Sequence, residues 1–218
     1  MPDWNKQRAA MVREQLVKRG ITDSGVLKAM AAVPRHAFIP PLLRAQAYHD
    51  GPLPVGIGQT ISQPYVVALM TELLALTGKE RILEIGTGSG YQAAILGKLA
   101  QEVISLERHK KLADRARKQL SKIGIVNVRV LHADGSEGDP THAPYDAILV
   151  AAAAPKTPRI LLRQLANGGR LVIPVGGRGH QRIERWLRRD NDFQRERLSA
   201  VSFVPMRGDA GWSEKDWE

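Results

Sequence analysis

Cysteine is absent from the 218 residues. Disulfides, thiolate-bound zinc and a cysteine nucleophile are therefore excluded. No apolar run approaches the roughly 20 residues needed to span a membrane. The polar start, Met1-Pro-Asp-Trp-Asn5, has no hydrophobic leader core, so a cytoplasmic protein without membrane attachment is expected. The six histidines (36, 49, 109, 132, 142 and 180) show no metal-ligand spacing with one another or with carboxylates, and no metal is expected. There is no internal repeat and no low-complexity linker.

Negative charge is in deficit. Thirty-two Lys and Arg face 22 Asp and Glu, giving a net charge of +10. The excess lies at the two ends, +4 over residues 1–50 and +5 over 151–218, outside the centre of the chain. Such a balance attracts nucleic acid, acidic surfaces or anionic substrates. The densest cluster, Arg178 to Arg197, holds seven arginines in twenty residues, interspersed with Glu184, Asp190, Asp192 and Glu196. It reads as a solvated hairpin face, with an anion-binding surface as the alternative. Its aromatics are few, Trp186 and Phe193, so no stacking platform for single strands is evident.

What is present suits one globular domain with a sizeable core, at 43% hydrophobic and 25% charged residues. Residues 1–78 read as a helical and loop extension. Helices are expected over 5–19 (stopped by Gly20), 23–32 and 62–77 (stopped by Gly78), with proline-rich loop composition over 34–58. Residues 79–218 read as an α/β core. Strands are expected at 81–85, 102–107, 128–133, 145–150 and 169–175, and helices at 91–99, 110–123 and 158–165. This alternation implies a parallel sheet covered on both faces. The runs 183–189 and 194–203 flank an Arg-Asp-Asn-Asp turn and imply a closing antiparallel hairpin. The predicted fold is a Rossmann-like methyltransferase sheet.

The most informative segment is Arg81-Ile-Leu-Glu-Ile-Gly-Thr-Gly-Ser-Gly-Tyr91. An apolar run ends in Glu84, and Gly86, Gly88 and Gly90 follow at alternate positions before a helical pattern. A strand entering a glycine turn lets backbone lie close to a nucleotide-like ligand. A dinucleotide fingerprint needs its third glycine at position 91, which is Tyr91. The G-x-G-x-G form is similar to that of S-adenosylmethionine-dependent methyltransferases. Ligands in such sheets sit beyond the carboxyl ends of the strands. Ser89 can offer an N–H or hydroxyl there. Glu107, 21 residues after Gly86, can accept from two ribose hydroxyls. Asp134-Gly135 suits an adenine edge. Glu84 either shapes the loop or touches the ligand.

A second segment, Gly58-Gln-Thr-Ile-Ser-Gln-Pro-Tyr65, is more specific. Here the chain resembles the protein-L-isoaspartate O-methyltransferases. The resemblance extends through Met11–Leu16, Val33–Phe38, Ala47–Asp50, Leu83–Tyr91, Asp134-Gly135, Tyr145–Val150, Gly169–Pro174 and Phe203–Pro205. It implies S-adenosylmethionine as methyl donor, giving S-adenosylhomocysteine. It implies as substrate the free α-carboxylate of L-isoaspartyl residues in damaged proteins and peptides, with repair through a succinimide. It makes Ser62 the active-site residue and Thr60, Ile61 and Ser62 the substrate contacts. A monomer is expected. Read without the resemblance, Ser62 stands just before a helix and could cap it. One departure stands out: the family's fourth strand ends in a Thr-Ala-Ala type sequence, and this chain has Ala151–Ala154. Two rival readings are a nucleic-acid methyltransferase and a non-catalytic cofactor-binding protein that holds nucleic acid. The first is disfavoured by the lack of an Asn/Asp-Pro-Pro-Tyr type motif after the fourth core strand.

Overall fold

The computed structural model describes residues 2–213 and 215–217. In chain order its elements begin with α1 (Trp4–Met11), α2 (Ser24–Ala32), β1 (Leu53–Gly56), β2 (Gln59–Ile61) and α3 (Pro64–Leu73). The core follows as β3 (Arg81–Ile85), α4 (Tyr91–Gly97), β4 (Glu102–Glu107), α5 (Lys110–Lys122), β5 (Val128–His132) and β6 (Tyr145–Val150). It ends with α6 (Arg159–Arg163), β7 (Leu165–Val175), β8 (Gln181–Arg189) and β9 (Asp192–Val201).

Seven strands form one sheet in the order β5-β4-β3-β6-β7-β8-β9. The first five in that order pair in parallel, and β8 and β9 add antiparallel. The sequence expectation of a parallel sheet closed by an antiparallel hairpin therefore holds. The reason is visible in the central strands. Ile82, Leu83, Ile104, Ala147, Ile148 and Leu149 have no solvent exposure, as sequences covered on both faces require. On α5, Leu112, Ala116 and Leu120 recur every four residues and are all buried, so one stripe packs inward. The β8–β9 turn is tight because Asp190 takes φ +53°, which aspartate tolerates better than most residues.

The N-terminal elements belong to the same core. Met11, Leu16, Met30, Phe38 and Tyr48 form one cluster with Tyr91 of α4 and Ala116 of α5. Here the expected boundaries change. The helix predicted over 5–19 is α1 followed by a π turn (Val12–Leu16) and a 3-10 turn (Val17–Arg19), ending at Gly20 with φ +91°. Residues 34–58 contain two 3-10 turns and β1. The helix expected from Ser62 starts at Pro64, because Gln59–Ile61 pairs with β1. Three-residue strands carry too little periodicity to be read from sequence. Near the other end, Leu165 opens β7 instead of closing a helix, which leaves α6 with five residues.

Candidate active site

The carboxyl ends of β3, β4 and β6 open onto a cleft. Gly86, Gly88 and Ser89 of the glycine turn, Glu107, Gly135 and Ser62 all line it. Gly86, Gly88 and Gly90 have φ of +92°, +54° and +88°, the left-handed region where a side chain is strained. The alternate glycines thus let the chain double back between β3 and α4. The Gly86 N–H donates to the Leu106 carbonyl at 2.9 Å, which ties the turn to the end of β4.

Glu107 is 5% exposed and closes β4. Its Oε2 accepts the Gly88 N–H at 2.8 Å, and its Oε1 accepts the His109 N–H at 2.9 Å. A carboxylate has about four acceptor sites, so two remain for a ligand in the cleft. Each carboxylate oxygen therefore has one lone pair free, the pattern that suits the two hydroxyls of a ribose. Gly135 makes close packing there feasible. A Cβ at this position would lie 2.8 Å from Ile85 Cγ2 and 3.2 Å from Leu106 Cβ.

Ser62 is half-buried on the link between β2 and α3. It does not cap α3, whose N-cap position is Gln63 with Pro64 inside the first turn. The segments on either side of it are held by side-chain contacts. Gln63 Nε2 donates to Asp50 Oδ1 at 2.8 Å, and Asp50 Oδ2 pairs with Arg19 at 2.9 Å. Arg115 of α5 donates to the Val55 carbonyl of β1 at 2.5 Å. A groove adjoins the cleft, walled by Tyr65, Leu69 and Ser199–Val204. Thr60, Ser62, Ala151 and Val204 line both spaces. Ser62 thus belongs to the wall that the cleft and the groove share.

Over residues 6–211 the sequence matches the family described as Protein-L-isoaspartate(D-aspartate) O-methyltransferase (PCMT). The chain belongs to this family. It is 53% identical over 212 residues to protein-L-isoaspartate O-methyltransferase 2 of Marinobacter nauticus, covering 96% of this chain and 97% of that protein. It is 50% identical over 207 residues to the protein-L-isoaspartate O-methyltransferase of Methanoculleus marisnigri, covering 95% and 94%. Among solved structures it resembles a candidate protein-L-isoaspartate O-methyltransferase of Plasmodium falciparum in complex with S-adenosyl-L-homocysteine. That match has a TM-score of 0.80 at 28% identity and covers 92% of this chain and 98% of that one. Membership in this methyltransferase family makes the protein an enzyme with the Rossmann-like fold expected of it.

Within this PCMT fold, three residues expected at the cofactor are not among those that line the cleft. Glu84 has no exposure and is not on the cleft wall, because β3 turns its side chain under the glycine turn. Ser105 donates to Glu84 Oε2, and the Thr87 and Ser105 hydroxyls are 2.5 Å apart. Glu84 acts on the turn through this chain of hydroxyls. Burial pushes its carboxyl up to about 8, against the lowering effect of the Ser105 hydroxyl, and the charge of Glu107 adds to the rise. Gly90 is also off the wall. It is the N-cap position of α4, and a Cβ there would come 3.1 Å from Ala116 Cβ, so it serves packing of α4 against α5. Asp134 is exposed and engages the C-terminal segment. Its Oδ1 accepts the Ser136 N–H at 2.8 Å and its Oδ2 the Asp209 N–H at 3.3 Å. Met206 and Arg207 of that segment line the cleft in its place.

Sequence reasoning missed Thr87, Ser105 and Asp50. A hydroxyl in the glycine turn (Thr87) and one in a strand (Ser105) carry no signal of partners that are 18 and 21 residues distant. Asp50 stood in a family-like segment without a role attached to it.

No helix is long and apolar enough to cross a membrane among the described residues. No cluster of three or more His, Cys, Asp or Glu side chains placed to hold a metal occurs among them.

Proposed function

We propose that this protein transfers a methyl group from S-adenosylmethionine to the free α-carboxylate of L-isoaspartyl residues in damaged proteins and peptides. One observation carries the reading: Ser62 lies on the wall shared by the glycine-turn cleft and the adjoining groove. The residues present fit the cofactor. Gly86, Gly88 and Gly135 allow close approach of backbone, and Glu107 keeps free acceptor sites in a cleft lined by Ile85 and Leu106. When bound, S-adenosylmethionine supplies an electrophilic methyl on a sulfonium.

The remaining work falls to the chain. A carboxylate with an ordinary pKa near 4 is already ionised at neutral pH, so the attacking oxygen needs no general base. The wall residues must hold that oxygen in line and exclude water, a task of proximity and orientation. The carboxylate loses negative charge as it reacts, so a strong ion pair in the ground state would oppose reaction. A neutral hydroxyl avoids this. Ser62 therefore orients the substrate as a hydrogen-bond donor, and Thr60 and Ile61 contact it from the same strand end. No covalent enzyme intermediate is involved.

A methyl-transfer assay on an isoaspartyl peptide beside its normal aspartyl twin tests the reading. Labelling of the isoaspartyl peptide alone is expected, and equal labelling of both, or of neither, would refute it. Ser62→Ala is expected to lower kcat/KM about 10- to 100-fold, the loss of one charge-assisted hydrogen bond in a dry site. Cofactor affinity should stay within about twofold. Full transfer by this variant at subsaturating peptide would remove Ser62 from the mechanism.

A further inference from the structure

A second groove lies between α6 and the β8–β9 hairpin, on the far side of β7 from the cleft, with a volume of about 640 Å³. Its rim carries five cations, Lys156, Arg159, Arg163, Arg195 and Arg197. Among the described residues, only Arg195 and Arg197 of these five have a counter-charge. Both pair with the buried carboxylate of Glu184, at 3.5 and 3.2 Å. That carboxylate is also held by Thr157 at 2.8 Å and by Trp186 Nε1 at 3.0 Å, so it is a fixed part of the floor. The exposed side chains of Lys156, Arg159 and Arg163 make no hydrogen bond or ion pair with any described residue. Three cations without a counter-charge among the described residues thus face a groove in which Glu184 is already satisfied. Asp192 is the one further acid on its lining, so these cations outnumber it by two.

The geometry around this groove suits an extended polypeptide. Arg195 and Arg197 are two residues apart on β9 and so point to one face, about 7 Å apart. Alternate side chains of an extended chain have the same spacing. β9 is the last strand of the sheet, and no strand pairs with its outer edge among the described residues. An edge strand offers free N–H and C=O groups to a further strand. β9 also leads to the reaction site. It runs parallel to β6 and β7, ends at Val201, and continues into Ser202–Val204, which wall the groove beside Ser62. A nucleic acid fits less well. Arg195 lies over the Trp186 ring at 5.4 Å and the indole N–H is already committed, which leaves Phe193 as the one other aromatic on the groove wall, too few for a stacking platform.

We propose that the α6/β8–β9 groove and the β9 edge dock an acidic, extended stretch of the polypeptide that carries the methylated residue. This rests on the function proposed above. The docked acids would lie about 7 to 10 residues along the substrate chain from the modified position, at roughly 3.3 Å per residue of strand. The site would raise affinity for damaged acidic regions through long-range attraction, without touching the reacting atoms.

The test uses isoaspartyl peptides that carry either alternating Glu or alternating Gln at that distance on either side. The wild-type enzyme is compared with a Lys156→Gln, Arg159→Gln, Arg163→Gln variant, which spares the arginines that hold Glu184. For the wild type, KM of the Glu peptide should be about 5- to 10-fold below that of the Gln peptide on at least one side. The difference should vanish in the variant and in high salt. kcat/KM for the Gln peptide should be unchanged, which also shows that the variant is folded. Equal KM values in the wild type would overturn the proposal, as would an advantage that survives the triple substitution. If neither peptide is methylated, the proposed function fails. Fluorescence anisotropy with a labelled acidic peptide lacking isoaspartate then still decides docking, by binding to the wild type and a loss of about fivefold or more in the variant. Tighter binding of an oligothymidylate than of the acidic peptide would overturn the proposal in favour of nucleic acid.

Discussion

The Glu107 carboxylate accepts the Gly88 N–H at 2.8 Å, so the residue proposed to hold the cofactor ribose also holds the glycine turn beside it. One side chain thereby links the end of β4 to the glycine turn after β3. The geometry of the ligand site and the geometry of its frame cannot be varied independently at this position.

Replacement of Glu107 by alanine is expected to weaken S-adenosylmethionine binding by about 100- to 10,000-fold, the loss of two hydrogen bonds to a charged acceptor at about 1.5–3 kcal/mol each. Glu107→Gln should be nearly as poor, because one end of the amide would present a donor to the N–H of Gly88 or His109. Isothermal titration of cofactor into each variant measures this. An affinity within threefold of wild type for the alanine variant would refute the assignment.

Ser105→Ala breaks the Thr87–Ser105–Glu84 chain in a fully buried setting. It strips Glu84 of its hydroxyl donor and leaves Thr87 without its partner. A loss of about 1–3 kcal/mol in unfolding free energy is expected, the usual cost of stranding buried polar groups. Urea denaturation reads it directly. Cofactor affinity should fall as well, since the loop position depends on the chain.

Glu84 gives a pH signature. Its carboxyl is raised by burial from an ordinary 4.5 to about 8, so the folded protein binds a proton that the unfolded chain has lost between those values. Its stabilising contribution is complete below about 4.5 and is lost as pH rises to about 8. Glu84→Gln cannot ionise. Its stability relative to wild type should therefore rise across that interval and level off above it. Denaturation midpoints of the two proteins at several pH values between 5 and 9 test this, and parallel curves would contradict it.

Gly135→Ala probes close packing at the cleft floor. The added Cβ would sit 2.8 Å from Ile85 Cγ2, which is inside contact distance, and both Ile85 and Leu106 line the cleft. Overpacking of this kind costs about 1–3 kcal/mol. A lowered melting temperature is expected, together with weaker cofactor binding as the two side chains are displaced. An unchanged melting temperature would show that the floor can relax.

Much of this protein was legible in its residues. Runs such as Arg81–Ile85 and Tyr145–Val150 could only be buried strands, and their alternation with helical patterns required a parallel sheet. The turn Arg189–Asp192 marked the final hairpin. Local signals sufficed because strand burial and turn chemistry act over a few residues. The spacing of the three glycines likewise separated this site from a dinucleotide site, since backbone φ at each glycine is a local property.

Other features depended on contacts between distant segments, and only the folded chain decided them. Glu84 and Glu107 both end apolar strands that enter the same region. Both point to the same face, since Glu84 is level with Ser105 and Glu107 follows two residues later on β4. Glu84 lies one step inside the sheet and is covered, whereas Glu107 stands at the strand end on the cleft wall. Asp134 meets Gly208 and Asp209, about 75 positions later, and is not on the cleft wall. The three unpartnered cations of the second groove are unremarkable in sequence and acquire meaning only where α6 faces β9. The amino-acid sequence by itself determined the sheet, the glycine turn and the residue types available for chemistry. Tertiary packing decided which side chains line the cleft, because that depends on what the rest of the chain covers.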